Sequence, residues 1–292
     1  MMSNPDRFLF LTGATGHTGS RLARRLVAEG WRLKCLVRTA DHARYLPHNI
    51  EIVQGDIQNP ATWSDRLAGA HAMYHLAHVG FAPHVIEACG AAGVKRVISM
   101  SSTRRFTKFP ERTARLVMTG EAAFEASDLD YTVIRSSMIF GGDRDNNLEK
   151  IVRMLRRWRV MPLVGGGHNL VQPIYVGDLV DALIAALAHP ESTSRRMLTV
   201  AGPTPMTWRT MVEVLSEAMC RPVIWVRVPF APTMAAAFVI EKFMKKPFVT
   251  RDQIRRLFED KTFDITEARS ALGGWSPRPF AEAIRFKLSG KA

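Results

Sequence analysis

Cysteine is scarce in this sequence. Cys35, Cys89 and Cys220 are the only three cysteines in 292 residues, and no two of them have C-x-x-C spacing. Structural zinc sites use closely spaced ligand pairs, and disulfide scaffolds need many cysteines in a short chain. We therefore expect reduced thiols. His75 and His78 stand three residues apart without a cysteine or carboxylate cluster, so no metal site is predicted there either.

Long apolar runs are also absent. The longest uncharged one, residues 228–240, is interrupted by prolines and is shorter than the roughly 20 residues of a transmembrane helix. The amino-terminal residues lack the apolar core and cleavage site of a secretion signal, so we expect a cytoplasmic protein. Residues 231–246 combine Met, Phe and Val with terminal lysines. They are expected to pack into a C-terminal lobe, and a peripheral, interfacial membrane helix is the alternative.

Acidic residues are too few to balance the basic ones. The 40 Lys and Arg residues exceed the 27 Asp and Glu residues, which gives a net charge of +13 at pH 7. Arginines alternate with apolar residues, as in R-L-A-R-R-L and R-M-L-R-R-W-R, a pattern typical of helices with one solvated face. A basic surface also attracts phosphates, anionic lipid or acidic partners. No nucleic-acid-binding signature accompanies the charge, so nucleic acid is not the expected partner.

The first 140 residues alternate short apolar runs with helical patterns, which predicts βαβ units and a parallel sheet. The fold class is thus α/β, a Rossmann-type doubly wound parallel sheet with a smaller C-terminal lobe. A further strand is predicted at 197–201, beyond the main run. The six strands predicted for the sheet are residues 8–12, 33–38, 50–56, 72–77, 96–102 and 130–137.

Three glycines follow the first predicted strand in the stretch L-T-G-A-T-G-H-T-G-S, residues 11–20. Their spacing between a strand and a helix predicts a dinucleotide-binding loop, because the backbone must turn sharply and approach a pyrophosphate at the helix N-terminus. The second strand ends on Arg38, and no acid follows until Asp41. An acid here bonds the ribose 2′-OH of NAD, whereas an arginine suits the 2′-phosphate of NADP. The sequence therefore predicts NADP in preference to NAD, with Arg44 as a second candidate for the phosphate contact.

These motifs resemble the extended and atypical short-chain dehydrogenases/reductases. The resemblance also rests on G-D-I at 55–57, H-L-A at 75–77, V-K-R-V-I-S-M-S-S at 94–102 and D-Y-T-V-I-R-S-S-M-I-F-G at 130–141, and I-Y-V-G-D at 174–178 resembles the family's V-H-V-x-D element. It is closest to the nucleoside-diphosphate-sugar epimerase-like, NmrA-like and complex I accessory-subunit branch. The cofactor-binding residues that it implies are Gly13, Ala14, Thr15, Gly16, His17, Thr18, Gly19, Arg38, Asp56, Ile57, Ala77 and Ser99.

The alternation of strands and helices loosens beyond Gly141, which predicts a division of the chain. Residues 1–165 are predicted to form the NAD(P)-binding Rossmann domain, with its core completed by parts of 170–202. Residues 166–292 are predicted to form a C-terminal lobe for a substrate or partner, such as a nucleotide sugar or another small molecule. No repeat or low-complexity linker separates the two parts, so the lobe is expected to pack on the sheet.

The catalytic pair of this family, a tyrosine four residues before a lysine, is missing. The lysine lowers the pKa of the tyrosine so that the phenol passes a proton while hydride moves. When Glu121 is taken as the glutamate that often follows the lysine by four residues, Val117 and Thr113 occupy the lysine and tyrosine positions. Threonine cannot replace a phenol, because an alcohol is a far weaker acid. Four residues after the chain's four tyrosines stand Asn49, His78, Arg135 and Leu179.

Other polar residues lie where the cleft should open. Ser101 and Ser102, at the end of the fifth predicted strand, are the candidate catalytic serines, and capping of the chain end is the equal alternative. Arg104 and Arg105 follow and are candidates for holding an anionic ligand.

Three hypotheses stay open. The first is an NADP(H)-binding atypical member with lost catalysis and a role as a sensor, assembly or scaffold protein. The second is an active reductase or nucleoside-diphosphate-sugar epimerase or dehydratase, in which cofactor and substrate do most of the chemistry. The third is a basic membrane- or partner-binding protein with a structural cofactor.

Overall fold

A computed structural model describes residues 7–39, 43, 46–142, 145, 148–229, 234, 238, 255–256 and 258–288. Its largest element is a parallel sheet whose strands are β1 Phe8–Thr12, β2 Arg32–Val37, β3 Glu51–Gln54, β4 Ala72–His75, β5 Arg96–Ser102, β6 Asp130–Ser136 and β11 Arg196–Val200. Their spatial order is β3-β2-β1-β4-β5-β6-β11, and every neighbouring pair is parallel. The predicted doubly wound α/β fold is confirmed, and the strand predicted at 197–201 joins this sheet as its edge.

The order of the strands reverses between β1 and β4, since β2 and β3 lie on one side of β1 and the later strands lie on the other. Ligands of open α/β sheets bind beyond the carboxyl ends of the strands at such a reversal. The turn after β1, which carries the glycines, therefore lies where a cofactor site is expected. The strand predicted at 50–56 spans only Glu51–Gln54, because the chain turns at Asp56, whose carbonyl accepts from the Asn59 N–H (2.9 Å) and whose carboxylate accepts from the Gln58 N–H (3.0 Å).

Helices cover both faces of the sheet. Their bounds are α1 His17–Ala28, α2 Ala82–Ala92, α3 Arg112–Glu125, α4 Glu149–Trp158, α5 Val176–Ala188, α6 Pro190–Thr193, α7 Trp208–Ala218, α8 Thr266–Ala271 and α9 Phe280–Leu288. On one face Leu22 of α1 and Leu183 of α5 are fully buried. On the other face Phe124 of α3 is fully buried, and Phe10 stacks on Trp63 with ring centroids 5.6 Å apart. Each such burial stabilises the fold by roughly 1.5–3 kcal/mol.

A third apolar cluster lies in the C-terminal part of the molecule. It joins α4, α7 and α9 through Leu155, Met211 and Phe280. Residues 148–164 therefore pack with this lobe, whereas α5 and β11 pack with the main sheet. The division at residue 165 itself stays a prediction. The remaining short strands pair as β7 Ile139–Phe140 with β10 Ile174–Tyr175, β9 Leu170–Val171 with β12 Met206–Thr207, and β8 Val160–Val164 with β13 Ile224–Val228.

The buried carboxylate of Asp178 on α5 bonds Arg278 in the C-terminal part of the chain. Asp178 accepts hydrogen bonds from the backbone N–H of Arg278 (2.8 Å) and from its guanidinium (2.7 Å), and Trp275 donates to the Asp178 carbonyl. Burial raises the pKa of Asp178 despite these contacts. The I-Y-V-G-D segment thus has a structural role that anchors the C-terminal chain.

Two sequence expectations concern residues outside the described part. Arg44 and nearly all of 231–246, apart from Met234 and Phe238, are not described. Among the helices that are described, none is both long enough and apolar enough to cross a bilayer.

Candidate functional site

The glycine loop connects β1 to α1 in a conformation that depends on glycine. Gly13 has a φ of +72°, and a Cβ atom on it would lie 2.5 Å from the carbonyl carbon of Leu76. A Cβ atom on Gly19 would lie 2.1 Å from the carbonyl oxygen of Gly13. Both distances are shorter than van der Waals contact, so side chains would push the loop away from β4 and α1 away from β1. The glycines thus bring the start of α1 close to the edge of the sheet.

The start of α1 is suited to an anion. Its cap residue Gly16 has no side chain, and the first turn contains no acidic residue. The first N–H groups of a helix have no partner within the helix, and the helix dipole adds partial positive charge at this end. A pyrophosphate fits this arrangement.

A cleft of about 440 Å³ opens beside this loop. It lies beyond the carboxyl ends of β1, β2, β3 and β4, at the reversal of strand order. Half of the predicted cofactor residues line it, namely Gly13, Thr15, Arg38, Asp56, Ile57 and Ala77. It also has walls that sequence reasoning missed, supplied by Thr12, Leu36, Val37, Gly55, Gln58 and Phe81.

The other predicted cofactor residues lie outside the lining of this cleft. Ala14 and Ser99 are fully buried, and Thr18 is 3% exposed. Gly16 caps α1, and His17 and Gly19 belong to its first turn, where backbone N–H groups would meet a ligand. Their assignment to the cofactor stays a prediction.

Two polar residues at the cleft are placed by β2 and β3. Arg38 follows the last residue of β2, is exposed, and forms no ion pair with any carboxylate in the described ranges. Asp56 is fixed by its neighbours, since its carboxylate accepts from the Gln58 N–H (3.0 Å) and its carbonyl accepts from the Trp63 indole (3.1 Å). The lining of the cleft therefore includes both the glycine loop and Arg38, whose guanidinium no described carboxylate neutralises.

A buried ionic cluster lies at the adjoining edge of the sheet, where α3 crosses the ends of β5 and β6. The Glu121 carboxylate has no exposed side-chain surface, and it accepts from Arg135 (2.8 Å), from Arg105 and from the Ser101 hydroxyl (2.6 Å). Burial raises the pKa of Glu121, but the hydrogen bonds from Arg135, Ser101 and Arg105 outweigh it, so the pKa lies below its ordinary value. Glu121 is therefore ionised at neutral pH.

This cluster determines what the candidate serines and arginines contact. Ser101 donates its only proton to Glu121, so its hydroxyl has only acceptor capacity left. Ser102 accepts from the Arg104 N–H (3.2 Å), which is the capping alternative considered above. Arg104 pairs with Glu111 (2.9 Å), so Arg104 and Arg105, both candidates for an anionic ligand, each contact a carboxylate.

The face of α3 at the expected catalytic position is apolar. Val117, in the lysine frame, is 2% exposed within the cluster that includes Phe124. Gly120 lies so close to the preceding loop that a Cβ atom would be 2.1 Å from the Val79 carbonyl oxygen. Thr113, in the tyrosine frame, is half-buried. At these positions α3 therefore packs against the rest of the protein, and Thr113 and Val117 supply no pair of ionisable side chains.

The tyrosines that the structure describes do not line the cleft. Tyr74 is fully buried and donates to the Leu183 carbonyl (3.1 Å), and burial raises its pKa. Tyr131 and Tyr175 are each 5% exposed. Tyr45 lies outside the described residues. No described phenol is thus placed to serve the cleft.

The two histidines near the cleft are neutral. His75 is fully buried, with Nδ1 2.9 Å from the Thr12 hydroxyl, and burial lowers its pKa to about 4. The His78 Nδ1 accepts from the Gly80 N–H (3.0 Å), and its pKa is lowered by burial and by Arg104. Within the described ranges, no group of three or more His, Cys, Asp or Glu side chains is arranged to hold a metal ion.

The sequence matches known proteins in the part that forms the cleft. Residues 13–153 match a family model described as NAD(P)H-binding. An NADH dehydrogenase (ubiquinone) 1 alpha subcomplex subunit 9 from Arabidopsis thaliana is 27% identical over 51% of this chain and 38% of its own length. A 2-alkyl-3-oxoalkanoate reductase from Shewanella oneidensis is 24% identical over 90% of this chain and 81% of its own. A ceramide reductase from Caulobacter vibrioides is 30% identical over 62% of this chain and 61% of its own length. The chain therefore spans less than two thirds of the length of two of these relatives, the subunit 9 protein and the ceramide reductase.

Solved structures share the fold over nearly the whole chain. A UDP-glucuronic acid 4-epimerase from Bacillus cereus, solved with UDP-glucuronic acid and NAD, superposes with a TM-score of 0.74 over 96% of this chain and 98% of that one. Its sequence is 12% identical, so the likeness concerns the fold alone.

Proposed function

We propose that this chain is a member of the extended and atypical short-chain dehydrogenases/reductases and that it binds NADP(H) without the standard tyrosine and lysine relay. The match of residues 13–153 to an NAD(P)H-binding family model supports the proposal. Its role would be that of a sensor, an assembly protein or a non-standard oxidoreductase. The observation that carries the proposal is the cleft between the glycine loop and Arg38.

The preference for NADP rests on Arg38. A 2′-phosphate beside the end of β2 would meet a guanidinium that no described carboxylate neutralises. Arginine binds phosphate through two parallel N–H···O contacts. Asp56 lines the same cleft but follows β3, so it does not occupy the position after β2 where an acid would bond the 2′-OH.

The proposed loss of the relay rests on α3. The chain has no Y-x-x-x-K, and Val117 occupies the lysine position inside an apolar cluster. The cofactor would supply hydride chemistry when bound, and this chain's residues would bind and orient it. The subunit 9 relative is described as a subunit of an NADH dehydrogenase, which supports a role inside a larger complex; the match covers 38% of that protein.

An active reductase is the second candidate. Two relatives are described as reductases, one of 2-alkyl-3-oxoalkanoates and one of ceramide. The B. cereus epimerase binds a nucleotide sugar, which adds that ligand class to the candidates.

The cofactor preference is tested by titrating the purified chain with NADPH and NADH and following nucleotide fluorescence. Arg38→Asp removes the phosphate contact and places an acid at the end of β2. A charged hydrogen bond contributes about 1.5–3 kcal/mol, so NADPH affinity should fall roughly tenfold or more while NADH affinity holds or rises. Arg221→Asp, an exposed site in the lobe, is the charge-matched control.

The outcomes are distinct. If neither nucleotide binds the wild type, the proposal is wrong as a whole. If NADPH binds but Arg38→Asp weakens both nucleotides equally, the preference is not set by Arg38. Turnover is then assayed with NADPH and ceramides, 3-oxoalkanoates, quinones and nucleotide sugars; rapid turnover would favour the reductase.

A further inference from the structure

A second surface, unrelated to the cofactor cleft, lies along α4. Ile151, Val152 and Leu155 turn inward and are buried. The opposite side borders a shallow groove of about 870 Å³, which we call the basic groove. Its α4 wall consists of Lys150, Arg153, Met154, Arg156, Arg157 and Trp158.

The basic groove exposes large apolar side chains. Trp158 is 66% exposed and Met154 is 36% exposed. Val160 and Pro162 of β8 continue the wall. The register of the parallel pair β8 and β13 sets Ile224 opposite Val160 and Val226 opposite Pro162, and paired residues of neighbouring strands point to the same side of a sheet. Ile224 and Val226, 57% and 46% exposed, therefore extend the same apolar face.

The charges of the basic groove are unbalanced. None of Lys150, Arg153, Arg156 and Arg157 forms an ion pair with a carboxylate in the described part of the chain, although Arg157 lies over the Trp158 ring at 5.0 Å. The one acidic residue of α4, Glu149, is 4.0 Å from Lys287. The surface is thus an apolar strip with a basic border and no neutralising acid from α4.

We propose that the basic groove docks this protein on an anionic lipid surface. Basic side chains attract anionic headgroups, and Trp, Met, Ile and Val suit the boundary between headgroups and acyl chains. A single-stranded nucleic acid would stack several bases on aromatic faces, whereas Trp158 is the one aromatic residue among the exposed apolar side chains named for this groove. A lipid surface also fits the sequence after β13, where residues 231–246 combine Met, Phe and Val with three lysines and a single acid.

The test is flotation of the full chain with vesicles of phosphatidylcholine, with or without phosphatidylserine. We expect binding to the vesicles that contain phosphatidylserine, and loss of binding at high salt because screening weakens charge contacts. Arg153→Ala with Arg156→Ala should weaken it roughly tenfold or more, since each basic side chain near an anionic surface contributes about a fivefold factor. Trp158→Ala should weaken it by several fold. These side chains are exposed, so the variants should melt near the wild-type temperature.

Lys95→Ala with Arg115→Ala is the matched control, since it removes two exposed charges elsewhere and should leave binding unchanged. Equal weakening by the control and the arginine pair would mean that diffuse net charge binds the vesicles. No binding to phosphatidylserine vesicles, or unaltered binding by Trp158→Ala, would likewise overturn the proposal. So would tighter binding, through the same residues, to an oligonucleotide or a polyglutamate peptide.

Discussion

Replacing Glu121 with Gln tests the buried ionic cluster directly. The change keeps the size of the side chain but removes the negative charge of the carboxylate, which two guanidiniums and the Ser101 hydroxyl contact. Removing one partner of a buried ion pair costs about 3–5 kcal/mol, because the other partner is left without compensation. Here Arg105 and Arg135 are 30% and 13% exposed, so water relieves part of the cost. We therefore expect the free energy of unfolding to fall by about 3 kcal/mol, out of a typical 5–15 kcal/mol.

The assay is urea unfolding followed by circular dichroism, with Glu125→Gln as the control. Glu125 is exposed on the same helix, and its change should cost less than about 0.5 kcal/mol. Because the folded pKa of Glu121 lies below its unfolded value, its contribution is complete above the unfolded pKa and is lost as the pH falls through the folded pKa. The gap between wild type and Glu121→Gln should therefore narrow in acid below about pH 4. A loss under 1 kcal/mol at pH 7, or a gap independent of pH, would refute the reasoning.

Gly19→Ala should reduce NADPH affinity at least roughly tenfold, because the added Cβ would lie 2.1 Å from the Gly13 carbonyl oxygen and must displace α1 from the loop. Gly90→Ala on α2, whose Cβ would have no neighbour within 4 Å, should leave binding unchanged in the same titration. In the native protein at pH 8, Ellman's reagent should modify Cys220 rapidly, since it is exposed, and spare Cys35 and Cys89, because burial raises the pKa of both thiols to about 12. Rapid modification of all three native thiols would contradict this burial.

The cofactor cleft was predictable because its signals are local. A run of apolar residues before Gly13 and an arginine at the end of the next strand predict a loop and a phosphate contact from spacing alone. The cleft walls formed by Val37 and Phe81 had no such signal, because their proximity depends on how β2 and the loop after β4 meet in the sheet. Ala14 was predicted to bind cofactor because it stands inside the motif, yet its side chain is fully buried.

The ionic cluster was not predictable, because its members are distant in the sequence. The sequence predicts Arg105 as an anion contact, and it marks Arg135 only as the residue that stands four after Tyr131. Neither residue indicates in the sequence that it approaches Glu121, since the contact requires β5, β6 and α3 to be packed together. The basic groove could likewise be predicted only in part. The basic residues of α4 are visible in the sequence, but the apolar strip forms only because β8 pairs with β13.

The candidate cofactor cleft and the expected catalytic position are formed by different elements of this chain. The cleft depends on the loop after β1 and on the ends of β2, β3 and β4, whereas the relay of the family would depend on α3. On α3, Val117 packs in the apolar core and the Glu121 carboxylate accepts a hydrogen bond from the Ser101 hydroxyl, so under the proposed function both side chains would contribute to folding and not to proton transfer. His75, whose Nδ1 lies 2.9 Å from the hydroxyl of Thr12 before the loop, stays neutral because burial lowers its pKa to about 4. A dinucleotide site is therefore compatible with this fold even though His75, beside the glycine loop, supplies no acid near neutral pH.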